Sequence, residues 1–192
     1  MKQKLMEQSI RLFESKGFSE TSIQDIVDAL DATKGTFYYY FSSKEQLLME
    51  IQSTYIDELL KKQREIMESS GDYKSKVIGV IRLLITEIEP NGRNANIFFR
   101  ELRNLNEENQ RLIKQKRKKF RFNLLDLLEK GIRDGEFRQD LNAGMVCFSI
   151  LGMCNWSYSW FDPSGPVSAQ ELAEIYAETL LDGISAQGGK SG

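Results

Sequence analysis

The chain has no histidine, only two cysteines and three prolines, and no apolar run of the ~20 residues that a membrane-spanning helix needs. Without histidine it lacks the side chain that most often serves as a general base at neutral pH, and the commonest metal ligand. Cys147 and Cys154 do not have metal-ligand spacing, and within one helix they would sit about 10 Å apart, too far for a disulfide. They read as core thiols. No Gly-rich phosphate loop is present, and the carboxylates fall among lysines on helix faces, as solvated surface does. These absences exclude the usual enzyme classes and predict neither metal nor cofactor. Met1-Lys2-Gln3-Lys4 leads into a charged amphipathic stretch instead of a signal-peptide core, so a cytoplasmic protein with no membrane partner is expected.

What the chain does have is helical periodicity from end to end. Its hydrophobic fraction of 41% and charged fraction of 28% suit one globular core or two small ones, and no strand signal interrupts the pattern. The expected fold is all-α with about nine helices.

The most informative stretch is 21–48. Ser22 with Asp25, Thr33 ahead of a compact aromatic run, and Ser43 with Gln46 each place a side-chain acceptor where the free N–H groups of a first helical turn need one. Between the apolar set Ile23-Ile26-Val27-Leu30 and the helix opened by Thr33, only Asp31 and Ala32 remain for a turn. The two helices must therefore cross sharply, as in a helix-turn-helix. The second, about Lys34 to Phe41, is too short to be stable alone. Phe37 and Phe41 supply its inward stripe, while Tyr38, Tyr39 and Tyr40 point about 100° apart, so at least two phenols face outward, within reach of phosphates. Lys34-Gly35-Thr36 offers a charged donor, a bare position and a hydroxyl, suited to a major groove.

The run from Gly17-Phe18 through Thr21-Ser22-Ile23, Asp25-Ile26, Lys34-Gly35-Thr36-Phe37-Tyr38-Tyr39-Tyr40-Phe41 and Ser43-Lys44-Glu45-Leu47-Leu48 resembles the TetR family of transcriptional regulators. The resemblance implies base or phosphate contact by Thr33, Lys34, Gly35, Thr36, Tyr38 and Tyr39, and backbone contact by Thr21, Ser22 and Lys44. This chain has Asp31 where the family often has glycine, and Tyr40 where histidine is common. Net charge is −2, so double-stranded operator DNA is expected to be held by local groove contacts, with modest non-specific affinity.

Beyond the helix-turn-helix, Ser43 opens a long helix to about Met67, with Leu47, Leu48, Ile51, Tyr55, Leu59 and Ile66 facing inward. Further helices are expected over Tyr73 to Ile88, stopped by Pro90-Asn91-Gly92, over Asn94 to Leu105, from Asn106 or Glu107 to Arg133, over Ala143 to Trp160, and from a Ser168–Glu171 cap to Ile184. The predicted organisation is a helix-turn-helix domain over 1–46, a helical effector and dimerisation domain over 47–185, and a disordered tail over 186–192. Val146-Ile150-Met153-Cys154 and Leu172-Ile175-Tyr176-Leu180 give the last two long helices apolar faces. By the resemblance, these pack against a second copy to make a homodimer that reads a pseudo-palindrome.

The segment Leu151 to Ser168, through Asn155-Trp156, Trp160 and Gly165-Pro166, is similar to the branch of that family governing fatty-acid degradation in response to acyl-coenzyme A. This implies a repressor released by its ligand. An acyl chain would lie among Phe98, Phe99, Phe120, Trp156 and Trp160, with coenzyme phosphates met by Arg100, Arg103, Arg117 or Arg121. The alternatives are another small lipophilic ligand or drug, and an interaction protein whose helix-turn-helix no longer binds DNA.

Overall fold

The computed structural model describes residues 1–184, with the backbone alone for 90–94 and 96. Among the described residues the regular structure is helical throughout: nine α-helices and one 3-10 turn. The expected tail over 186–192 lies outside the described residues. Contacts divide the chain into two compact units, Met1–Glu58 with Asn91–Lys116, and Leu59–Pro90 with the chain from Arg117 onward.

The first unit holds α1 (Lys2–Lys16), α2 (Ile23–Asp28), α3 (Lys34–Tyr40) and the start of α4 (Lys44–Glu68). Leu5, Phe13, Ile26, Val27, Phe37, Phe41, Leu47 and Leu48 form its core, each essentially without solvent exposure. To these it adds most of α6 (Ile88–Arg100), the 3-10 turn Leu102–Asn104 and the start of α7 (Glu107–Arg133). The attachment is specific. The Glu45 carboxylate accepts from the Asn106 backbone N–H at 2.9 Å and from Asn109 Nδ2 at 3.0 Å. Lys116 donates to Asp57 at 2.6 Å and Ser53 at 3.3 Å, and Tyr55 packs edge-on to Phe98 at 5.1 Å. The boundary expected after residue 46 therefore falls inside this unit, because α4 continues the apolar stripe of the helix-turn-helix onto α6 and α7.

The second unit contains α5 (Tyr73–Thr86), α8 (Ala143–Ser157), α9 (Ala169–Ile184) and the later parts of α4 and α7. Val77, Val80, Ile81 and Ile85 of α5 are buried, as are Leu172, Ala173 and Ala177 of α9, and the two helices pack together. Gly131 of α7 is a close-approach position, because a Cβ there would fall 2.3 Å from the buried Phe137 ring. Cys147 and Cys154 are buried free thiols, pushed by desolvation up to about 11 and about 12.

Three element boundaries differ from the sequence expectation, one being that the helix expected to reach Leu105 ends at Arg100 and is followed by the 3-10 turn Leu102–Asn104. The break expected at Pro90-Asn91-Gly92 falls at Glu87, where α5 ends, and α6 begins at Ile88. Proline in a first turn forfeits no intrahelical hydrogen bond, so Pro90 marks a start and not a stop. α8 ends at Ser157, short of Trp160, in successive turns in which Ser159, Trp160 and Phe161 donate back to the carbonyls of Trp156 and Ser157.

Candidate nucleic-acid interface and effector sites

Three caps build the helix-turn-helix. Ser22 Oγ accepts from the Asp25 N–H at 3.0 Å while the Asp25 carboxylate accepts from the Ser22 N–H at 2.8 Å, a reciprocal capping box. Those hydrogen bonds from Ser22, backbone first, hold the Asp25 carboxyl below its ordinary value of 3.8. The box therefore contributes fully above that pH and fades as pH falls through the lower folded value. Thr33 Oγ1 accepts from the Thr36 N–H at 3.1 Å and caps α3, and Ser43 Oγ accepts from the Gln46 N–H at 3.0 Å ahead of α4. Between α2 and α3 the chain reverses at Asp31, whose φ of 49° is left-handed, with the Ala32 N–H returning to Val27 O at 2.9 Å. Aspartate tolerates that region better than most residues, so it stands in for the family's usual glycine.

These constraints aim one face of α3 outward. Phe37 and Phe41 are buried, while Tyr38 is 54% exposed and Tyr39 81%. Tyr40 is half-buried and lies edge-on to Tyr39 at 4.8 Å. Thr33, Lys34 and Gly35 are exposed and Thr36 is half-buried. At Gly35 an added Cβ would make only an ordinary 3.5 Å contact with Thr33, so nothing inside the protein demands glycine there. Its bareness matters for what approaches from outside.

Thr21 and Lys44, expected to touch the DNA backbone, are turned inward. Thr21 is fully buried, and its hydroxyl donates to Gly17 O at 2.8 Å. Lys44 Nζ donates to the carbonyls of Phe18 at 2.6 Å, Ser19 at 3.3 Å and Thr21 at 2.5 Å, and lies 4.4 Å from the Phe18 ring centroid. Burial lowers its pKa from the ordinary lysine value, against the pull of Glu20 and Asp25. This ammonium ties α4 to the α1–α2 turn and has no N–H to spare for a phosphate. Lys44→Met is expected to lower the unfolding temperature and operator affinity together, with the salt dependence of binding unchanged. A phosphate contact would instead flatten that dependence by about 0.9 in slope for each subunit bound. Ser22 remains exposed at the end of the same turn.

The residues expected to hold an effector do not converge on one pocket. Phe99, Arg100 and Arg103, with Leu102 and Gln110, line an open cleft of about 460 Å³ in the first unit. Phe98 is buried against Tyr55, and Phe120 is buried core of the second unit. Arg117 is half-buried. Arg121 stacks its guanidinium 5.1 Å from the Phe122 ring and 5.0 Å from that of Phe148. Trp156 and Trp160 are 70% and 53% exposed, so they form outer surface instead of pocket lining. Helical spacing gives a residue's face but not the helix opposite, which is why these assignments scattered.

A second cleft was not foreseen. About 530 Å³ in volume, it lies in the second unit among α4, α5 and α7, with Arg64, Lys76, Lys119 and Lys130 set against Glu68 and Asp126. Lys76 is committed to Met67 O at 3.0 Å and Lys130 to Asp126 at 2.8 Å. In sequence these cations are indistinguishable from solvated surface.

Comparison with known proteins matches residues 5–51 to the model for bacterial regulatory proteins of the tetR family, and residues 70–184 to the tetracyclin repressor-like C-terminal domain. The HTH-type transcriptional repressor KstR2 of Mycolicibacterium smegmatis is 28% identical over 97% of this chain and 92% of its own. The solved structure of the ketosteroid transcriptional regulator KstR2 of Mycobacterium tuberculosis superposes with a TM-score of 0.90 at 27% identity, covering 97% of this chain and 95% of that one. AibR in complex with isovaleryl coenzyme A and operator DNA shares the fold, with a TM-score of 0.83 at 24% identity over 93% and 96% of the two chains.

Proposed function

The chain belongs to the TetR family of bacterial regulatory proteins and is a ligand-responsive transcriptional repressor, and from that premise we propose that it binds a pseudo-palindromic operator as a homodimer and is released by a long-chain acyl-coenzyme A, controlling fatty-acid degradation genes. The outward face of α3 carries the DNA half of this reading. Lys34, Thr36, Tyr38 and Tyr39 stand on a short helix locked from behind by Phe37 and Phe41, so their donors are presented without cost in order. Thr33, Gly35 and Ser22 complete the contact set.

The effector half is supported by chemistry. The cleft of Phe99, Arg100 and Arg103 pairs an aromatic wall with two guanidiniums, which suits an amphiphile with phosphates and an apolar tail and repels a lipophilic cation. The fold neighbour AibR is described with both isovaleryl coenzyme A and operator DNA. To turn a mostly competent dimer into a mostly incompetent one, the ligand must prefer the released form by about 5.5 kcal/mol.

The likeness to KstR2 favours a second reading, in which the apolar part of the ligand is a ketosteroid skeleton instead of a linear chain. Both are tested by binding to the duplex upstream of the protein's own coding sequence, at fixed salt, with palmitoyl-coenzyme A or a free ketosteroid added. Release by the thioester alone is the expected result. Release by the free steroid alone would overturn the acyl-coenzyme A reading and leave the repressor.

A further inference from the structure

Two glutamines of α4 are fully buried, and the fold treats them differently. Gln63, in the second unit, uses both ends of its carboxamide. Its Nε2 donates to Phe120 O at 2.9 Å, and its Oε1 accepts from Asn123 Nδ2 at 2.8 Å. Gln52, in the first unit, uses neither: its Nε2 and Oε1 are both buried without a hydrogen-bond partner. Its neighbours along α4, Leu48, Ile51, Tyr55 and Ile56, are buried apolar or aromatic side chains, so a leucine would pack there with no such penalty. A polar group kept at a cost to the fold is the mark of one that answers to something else.

We infer that Gln52 reads the effector, and that the group it reads is a secondary amide, as in the pantetheine arm of a coenzyme A thioester. This rests on the acyl-coenzyme A reading above and deepens it. A carboxamide presents a donor and an acceptor, so a ligand satisfies both ends only where it too offers both, as the two amides of a pantetheine arm do. A ketone or an ester carbonyl accepts only, and a lipophilic ammonium donates only, so each leaves one end of Gln52 orphaned. An amide is also uncharged, so it can enter an interior that the coenzyme's phosphates cannot. Those phosphates belong outside, with exposed cations such as Arg100.

The position of Gln52 makes it a lever. The same stretch of α4 meets α6 through Tyr55 and Phe98 and meets α7 through Lys116, which holds Ser53 and Asp57. About 12 Å back along the helix, Lys44 grips the α1–α2 turn of the helix-turn-helix. An amide seated on Gln52 acts on the helix that positions α3.

The test compares the wild type with Gln52→Leu in the full-length protein, measuring unfolding temperature without ligand and operator release by palmitoyl-coenzyme A. The variant is expected to unfold at a higher temperature and to bind the operator unchanged. It should require at least tenfold more thioester for release, which is about 1.4 kcal/mol at 25 °C. Palmitate, which lacks both amides, should not distinguish the two proteins. If the wild type is released and Gln52→Leu is released at the same concentration, the inference fails alone. An unfolding temperature that falls would also overturn it, by showing the amide satisfied in the free protein. A wild type indifferent to the thioester would overturn the effector reading and this assignment with it.

Discussion

Replacing both Lys34 and Tyr39 with alanine is expected to weaken operator binding at least 100-fold while leaving the dimer and the unfolding temperature nearly unchanged. Neither side chain supports the fold. Lys34 is exposed, and the 81% exposed Tyr39 ring lies edge-on to its neighbour Tyr40. Helix α3 is held instead by the Thr33 cap and by Phe37 and Phe41, which the substitutions do not touch. A good base contact is worth about 1–3 kcal/mol and a neutral hydrogen bond about 0.5–1.5, so the pair accounts for about 3 kcal/mol, roughly 100-fold. The two singles should separate by mechanism. If the Lys34 ammonium neutralises a phosphate in each half-site, Lys34→Ala lowers the slope of log affinity against log salt by about 0.9 per subunit, about 1.8 for the dimer, whereas Tyr39→Ala leaves it unchanged. Fluorescence anisotropy on the upstream duplex across a salt series reads both. Unchanged affinity in the double variant would sink the assignment of α3 as the recognition helix.

The sequence made this part of the molecule legible because its information is local. A cap, a turn and an i, i+4 aromatic pair act within one or two turns, so Ser22 with Asp25, Thr33 and Phe37 with Phe41 could be read from spacing alone. The direction of Lys44 could not, because its three carbonyl acceptors belong to the turn at Phe18 to Thr21, which the fold brings beside α4. Gln52 and Gln63 were missed for a related reason. A polar residue on an apolar stripe reads as an interruption until the opposing helix shows whether its amide is answered. The effector assignments depended most on tertiary packing and scattered most. Phe99, Arg100 and Arg103 came together because they are near neighbours in the chain, while Phe98 and Phe120 became core and Trp156 and Trp160 became surface.

Phe148→Asp is expected to turn the dimer into a monomer at micromolar concentration, raising the dimer dissociation constant at least 100-fold. Self-association through α8 and α9 was expected from the apolar face Val146-Ile150-Met153-Cys154, but Ile150 and Cys154 are used inside the second unit. The face left outward is rotated from it: Met145, Phe148, Gly152 and Trp156, spaced as one helical stripe, with Phe148 51% and Trp156 70% exposed. Phe122 of α7, also exposed, is joined to it through Arg121, whose guanidinium lies 5.1 Å from the Phe122 ring and 5.0 Å from that of Phe148. An outward apolar stripe of this kind fits the two-fold contact that the proposed homodimer would make. In a two-fold interface every substitution counts twice. Fully burying a phenylalanine is worth about 1.5–3 kcal/mol, and Phe148 is half exposed in the protomer, so losing its contact from each subunit removes about 1.5–3 kcal/mol, to which the desolvation of two carboxylates is added. Sedimentation of the variant measures the dissociation constant directly. Operator affinity should fall with it, because a monomer binds one half-site and forfeits the effective concentration that the second subunit supplies. If the parent protein sediments as a monomer, α8 and α9 do not form the interface and the pseudo-palindromic reading of the operator goes with them. If Phe148→Asp stays dimeric while Tyr39→Ala still loses the operator, the dimer exists but uses another face.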